Sequence, residues 1–337
     1  MTQRIGWLDT FRGMLILLVV LNHQSIFHTQ INDALSSIRM PAFFFISGFV
    51  LSNRYTDFTY FSQRRLRQLI VPYFIFYLLN YIFWAMVLAG PEADIKQPLF
   101  EMIFGCVNTS EGNPNMTAGP LWFITTLFMA EIYMFFIKNY FQQSKPIFFV
   151  LILSAGFGYA LSVFMPFRLL WNMDIAFSAV LFYGLGYLVK KEQLIDRLIS
   201  KNFTINILIF LVTISIGLAF GFHNNTAYTD NYLGDNILFT YISAFSGMIA
   251  LMTLAKIINK NIILEFLGQN TYVILAFHLS ILYILQGLVK RTGIVDFAST
   301  QNSDVWGLFY MVISIIILIP IIFLLDKYAP FILNRRK

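Results

Sequence analysis

Residues 7–28 read WLDTFRGMLILLVVLNHQSIFH, and this stretch decides the fold. It is long enough to cross a bilayer as one helix, for which roughly 20 apolar residues suffice. It also carries Asp9, Arg12 and His23 within that length. Ionisable side chains are costly in a membrane helix, and where they occur they mark a functional interior. At about 100° per residue, the step from Arg12 to His23 is three full turns plus about 20°. The two side chains therefore share a helix face and stand about 16 Å apart along the axis. An arginine and a histidine so placed suit a long substrate held at one end and transformed at the other. Asp9, three residues before Arg12, is expected to pair with that arginine rather than act as an acid.

The rest of the chain agrees with a membrane setting. Of its 337 residues 58% are hydrophobic and only 12% charged, against about 25% charged in soluble domains. Further apolar runs lie near 37–53, 69–90, 120–138, 146–165, 173–189, 203–222, 236–255, 270–289 and 305–326. With 7–28 they make an all-α integral membrane protein of about ten transmembrane helices. Residues 1–337 are expected to form a single module, with no internal repeat, soluble domain or low-complexity linker. Placing both termini in the cytoplasm leaves only Arg39, Lys96, Arg168, Lys290 and Arg291 on the opposite side, with Arg12 in the membrane. That asymmetry obeys the positive-inside rule. The formal charge of +6 thus reports membrane orientation rather than nucleic-acid binding. The single Cys106 excludes an intramolecular disulfide, and inert packing is its plainer reading. The first span lacks a small-residue cleavage site, so it is expected to stay as a membrane helix.

Several stretches carry specific chemistry. Arg39-Met40-Pro41 precedes the short run FFFISGFVLS. Either Pro41 starts or sharply kinks a span whose freed backbone must be buried in protein, or a helix from Asp33 or Ser36 passes through it. Residues 56–73 read as an interfacial amphipathic helix capped by Thr56 or Asp57, with Arg64 and Arg67 on one side. Those arginines either snorkel to the membrane boundary or bind an anion, for which the guanidinium fork suits phosphate. The loop from Gly90 to Gly119 holds an apolar patch, PLFEMIFGCV, suited to a short surface or re-entrant helix. Polar loops begin at His223 and Lys290. Glu131 and His278 lie inside the fourth and ninth spans, each about 12 Å from the cytoplasmic end of its helix. That places both near the depth of Arg12, with His23 higher. Glu131 is expected to neutralise Arg12 or to orient His278.

These patches resemble a known family. DTFRG…LNH, with ten residues between Arg12 and His23, resembles the Arg-x10-His motif of the membrane-bound acyltransferase 3 family. That family includes polysaccharide O-acetyltransferases and fucose 4-O-acetylase-like proteins. The likeness continues in MPAFFFISGF (40–49), RRLRQLIVPY (64–73), GPLWFITTLF (119–128) and LGQNTYVILAFH (267–278), in family order across nearly the whole chain. The resemblance implies a ten-helix module of the bacterial inner (cytoplasmic) membrane. It implies transfer of an acyl group, acetyl foremost, from cytoplasmic acyl-CoA to a hydroxyl of a lipid-linked or surface glycan. His23 matches the family's essential histidine, Arg12 the arginine before it, and Arg64 with Arg67 the Arg-x-x-Arg pair associated with CoA. Arg39 departs from the pattern, since many relatives have His before Met-Pro. No hydrolase-like domain follows, so a stand-alone form is expected.

In that reading acyl-CoA is a co-substrate, and no bound cofactor or metal is expected. Arg64 and Arg67 take the phosphates, Arg12 steers the arm inward, and His23 meets the thioester. Histidine is the side chain best poised to act as a base near neutral pH. Asn22 and Trp122 are oxyanion donors by side-chain type alone. A ternary-complex reaction and an acyl-histidine intermediate both fit. The rival class is a transporter or flippase using intramembrane Arg, Glu and His as a substrate path or proton relay; a sensor that only binds acyl-CoA is a third.

Overall fold

The computed structural model describes residues 6–23, 29–105, 116–165, 167–195, 199–200, 202–293, 295–300 and 303–333. Helix α1 spans Gly6–Asn22 and α2 Thr29–Phe49. α3, Phe58–Arg65, runs through a π-helical turn at Leu66–Ile70 into α4, Val71–Phe83, and a second such turn at Trp84–Leu88. Then come α5 (Lys96–Phe104), α6 (Trp122–Tyr140), α7 (Ser144–Phe164), α8 (Met173–Lys191) and α9 (Phe203–Phe222). The chain closes with α10 (Ile237–Ile258), the short α11 (Ile262–Gln269), α12 (Thr271–Thr292), the single turn α13 (Phe297–Thr300) and α14 (Asp304–Tyr328). β pairing among the described residues is confined to an isolated bridge between Ala227 and Tyr232. Cys106 and the terminal basic residues Arg335 to Lys337 lie outside the described residues.

Eight segments among the described residues are long and apolar enough to cross a membrane: Phe58–Leu88, Gly119–Tyr140, Leu170–Lys191, and the helices α7, α9, α10, α12 and α14. α1, with 17 residues, and the apolar part of α2, Ala34–Phe49, fall short of the same length. Among the described residues, each of the ten apolar runs of the sequence overlaps a helix of this set.

The core belongs to α1, α2, α6 and α8. α1 packs against α2, α10, α11 and α12, and α8 against α2, α6 and α7. α1 and α2 run antiparallel: Trp7 meets Phe49 at 5.7 Å between ring centroids, and Arg39 donates to Asn22 at 2.7 Å. Small residues let these helices cross backbone to backbone, as close packing in a bilayer requires. A Cβ on Gly48 would lie 1.7 Å from the Tyr183 carbonyl oxygen, and one on Gly186 would lie 1.9 Å from that of Phe45. By contrast α7, α9 and α14 keep most of their apolar surface outward, as lipid-facing helices do.

Three sequence expectations need correction. α1 ends at Asn22, and His23 sits in the turn beyond it, its N–H on the Val20 carbonyl at 3.2 Å; the rest of the expected span, 24–28, lies outside the described residues. Asn22 and His23 are both weak helix formers, which favours an end here. The proline alternative resolves to a helix running unbroken through Pro41, and it begins at Thr29, earlier than Asp33 or Ser36. The amphipathic segment is capped by Asp57, whose carboxylate accepts from the Tyr60 N–H at 2.6 Å, but it is no separate surface helix. It continues into α4, which makes one 31-residue segment. Arg39, near the middle of α2, is buried.

Candidate active site

The site is built on successive turns of α1. Arg12, Ile16 and Val19 face a cavity of about 160 Å³, and the step from Arg12 to Val19 covers about 10 Å of helix. α2 contributes Met40, Phe43, Ile46 and Ser47, and α6 contributes Phe123, Ile124 and Leu127. Leu69, in the π-helical turn, and Thr271, Tyr272 and Leu275 of α12 complete the wall. The cavity is therefore long, mostly apolar and charged at one end.

Arg12 supplies that charge. Its Nη1 lies 3.5 Å from Asp9 Oδ1, so the expected pair forms across one helical turn. Asp9 Oδ2 accepts from Gln269 Nε2 at 3.1 Å, which ties the pair to the end of α11. Asp9 is thus held from two elements, which a charge taken out of water needs.

Beyond the other end lie two histidines. His23 follows Val19 by four residues and His278 follows Leu275 by three. Their ring centroids are 5.1 Å apart with planes inclined by 47°. His278 is fully buried, and its Nδ1 lies 2.9 Å from the Ile274 carbonyl oxygen. Asn80 pins this part of α12. It donates to the Ala276 carbonyl at 3.0 Å and accepts from Ser280 at 2.6 Å and from Thr117 at 2.9 Å.

The expectation that placed His278 at the depth of Arg12 is overturned by this contact. α12 does not start level with α1: Gln269, two residues before it, already reaches Asp9. Counting from each helix's own first residue therefore set His278 too low. Glu131 neither neutralises Arg12 nor orients His278. It lies 2.8 Å from Arg65 Nε and accepts from the Tyr183 hydroxyl at 3.3 Å. The reason is the helical offset within RRLR. Arg64 and Arg67 point out and are exposed, while Arg65, about 100° away from Arg64, turns inward to α6.

The remaining candidates are placed as follows. Arg64 stacks over the Tyr55 ring at 5.5 Å and donates to the Tyr60 hydroxyl at 3.5 Å. Arg67 lies beside it on the exposed face, two residues before cavity-lining Leu69. The Asn22 side-chain oxygen accepts from Arg39, which also donates to Asn32 at 2.9 Å; this bond fixes the amide's orientation and leaves its N–H groups as the donors for an oxyanion. Trp122 opens α6 next to cavity-lining Phe123, and its carbonyl accepts from Thr126 at 3.0 Å and from Asn172 at 3.3 Å. Arg65, Tyr183, Gln269 and Asn80 escaped the sequence reading. The lone acid of α6 beside an Arg-rich segment was the signal for the first pair; Asn80 and Gln269 gave none.

No curated protein and no solved structure matches the chain. A family model described as an acyltransferase domain, acyltransferase 3, matches residues 5–325. That match takes in every element of the site, from Asp9 to His278, and the membrane-spanning helices that position them. The chain belongs to the acyltransferase 3 family.

Proposed function

We propose that the protein is an O-acyltransferase of the bacterial cytoplasmic membrane. It moves an acyl group, acetyl foremost, from acyl-CoA to a carbohydrate hydroxyl on a lipid-linked or surface glycan. The observation that carries this reading is the cavity running from the Arg12–Asp9 pair toward the two histidines. Its apolar wall suits the pantetheine arm and acyl group, and Arg12, the cation among its described lining residues, sits at the end nearest the exposed arginines Arg64 and Arg67. These arginines take the CoA phosphates, since a guanidinium fork matches phosphate oxygens. In this reading the Gly6 end of α1 faces the cytoplasm.

The reaction joins the acceptor oxygen to the thioester carbonyl carbon. His23 takes the hydroxyl proton as the new C–O bond forms. The tetrahedral intermediate carries its negative charge on the former carbonyl oxygen, toward which the Asn22 amide N–H and the Trp122 indole N–H are the available donors. Its collapse breaks the C–S bond, and the leaving thiolate receives the proton from His23. The products are the sugar ester and free CoA.

Membranes carrying the protein, supplied with labelled acetyl-CoA and a panel of glycan acceptors, provide the test. Wild type is expected to label a glycan, and His23→Ala to lose at least about 100-fold of that rate. Undiminished transfer by His23→Ala removes His23 from the chemistry. Label trapped on wild-type protein without acceptor, and absent from His23→Ala, would replace direct transfer by an acyl-histidine route. Arg64→Ala and Arg67→Ala are expected to raise KM for acyl-CoA about tenfold with kcat maintained, as loss of uniform binding requires.

A further inference from the structure

His278 has a fixed tautomer and an unused acceptor. The Ile274 carbonyl oxygen that meets its Nδ1 can only accept, so Nδ1 carries the proton. The neutral ring then has a bare lone pair on Nε2. That atom is buried and has no hydrogen-bond partner among the described residues. A native fold rarely leaves a buried acceptor unsatisfied, and where it does the site calls for an explanation. The ring that faces it is His23, at 5.1 Å between centroids. Two imidazoles joined N–H to N have centroids on the order of 5 Å apart at ordinary hydrogen-bond length. The rings are therefore near enough to bond, although with planes inclined by 47° no such bond is made in this arrangement. His23 sits half-buried in the turn beyond α1, and rotation about its side-chain bonds is what would bring the two rings into line. His278 is held more firmly: Asn80 donates to the Ala276 carbonyl before it and accepts from the Ser280 hydroxyl after it.

We propose that His278 is a positioning residue for His23, accepting the His23 N–H on Nε2 during the reaction. This rests on the reading of His23 as the base. The consequence is a relay of tautomers without proton transfer between the rings. The Ile274 carbonyl fixes the proton of His278 on Nδ1, and Nε2 fixes the proton of His23 on the nitrogen that faces it. The other nitrogen of His23 is then bare and turned to the acceptor hydroxyl. When His23 takes the hydroxyl proton it becomes an imidazolium, and its bond to His278 becomes charge-assisted and stronger. The pair therefore favours the transition state over the ground state. An orienting third group behind a base is a recurrent arrangement, supplied elsewhere by a carboxylate; here a second histidine supplies it without adding a buried charge.

The test separates kcat from KM in purified protein. His278→Leu keeps the volume but has no acceptor, and is expected to lower kcat on the order of 100-fold with KM for acetyl-CoA within about threefold. His278→Gln places an amide oxygen near the Nε2 position and is expected to recover kcat to within about tenfold of wild type. Should His278→Leu fail to fold, His278→Asn replaces it, because its shorter amide does not reach the Nε2 position and should lose kcat alike. Full kcat in His278→Leu or His278→Asn, with His23→Ala inactive, overturns the proposal and leaves the base assignment standing. Equal losses in the Gln variant and in the Leu or Asn variant overturn the acceptor role as well. Activity retained in His23→Ala instead strikes the underlying reading of the base.

Discussion

At the scale of single residues, the Arg65–Glu131 pair shows how one side chain's direction organises a surface. Arg65 Nε and Glu131 Oε2 are 2.8 Å apart, both side chains are largely withdrawn from solvent, and Tyr183 adds a hydrogen bond from α8. Arg65 also donates to Gln68 at 3.0 Å and lies over the Phe61 ring at 5.5 Å. With Arg65 locked inward, Arg64 and Arg67 are left on the exposed face. Removing one partner of a buried pair costs about 3–5 kcal/mol, whereas replacing both by apolar residues is often neutral. Glu131→Leu is therefore expected to lower the unfolding temperature sharply in detergent, and Arg65→Leu combined with Glu131→Leu to restore most of it. The double variant should still show a raised KM for acyl-CoA, because α3 has lost its inward anchor. If the double variant were no more stable than Glu131→Leu alone, the pair would not be the coupling unit. The Arg12–Asp9 pair and the Asp57 cap were legible in the sequence because each depends on spacing within one helical turn. The Glu131 partner was not, because it depends on which helices become neighbours.

At the scale of elements, α11 is the piece that sequence reading passed over, and it explains the depth of His278. Its apolar residues merge with the following span in any hydropathy window, although the Asn261 cap, accepting from Ile263 and Leu264 at 3.1 and 3.0 Å, marks a separate start. α11 crosses α1 in direct backbone contact. A Cβ on Gly13 would stand 2.0 Å from the Leu264 carbonyl oxygen, and one on Gly268 would stand 1.9 Å from that of Asp9. Arg12 adjoins this crossing, so its aim depends on it. Gly13→Val must push the two backbones apart, an overpacking cost of about 1–3 kcal/mol. It should also displace Arg12 and reduce kcat/KM for acyl-CoA by about tenfold or more. Gly90→Val, where an added Cβ meets nothing within 4 Å, is the control and should behave as wild type. Equal activity in the two variants would detach the α1–α11 crossing from function.

At the scale of the whole molecule, the basic residues gather at the end of the bundle that holds Gly6. Lys138 donates to the Tyr55 carbonyl at 2.7 Å, Lys190 to that of Leu51 at 3.1 Å, and Lys256 lies over the Trp7 ring at 5.2 Å. The charges that the positive-inside rule counts therefore also fasten helix ends together. Arg168, paired with Asp174 at 2.7 Å and bonded to Asn172 and the Thr229 carbonyl, fastens the opposite end. Between these two anchored ends the cavity is the one described route from Arg12 toward the histidines, and it is narrow. Ile46 is buried in its wall. Ile46→Trp would fill much of the space while leaving Arg64, Arg67 and both histidines in place. If the acyl arm travels this route, that variant should still bind CoA about as tightly as wild type, since the phosphate contacts remain. Its transfer rate from acetyl-CoA should fall at least about tenfold, as a misplaced reacting group requires, and longer acyl donors should suffer more than acetyl. Isothermal binding of CoA beside labelled transfer measures both quantities on one preparation. Normal transfer through a filled cavity would mean that the thioester reaches His23 from another side, and the line from Arg12 to His23 would then describe packing rather than passage.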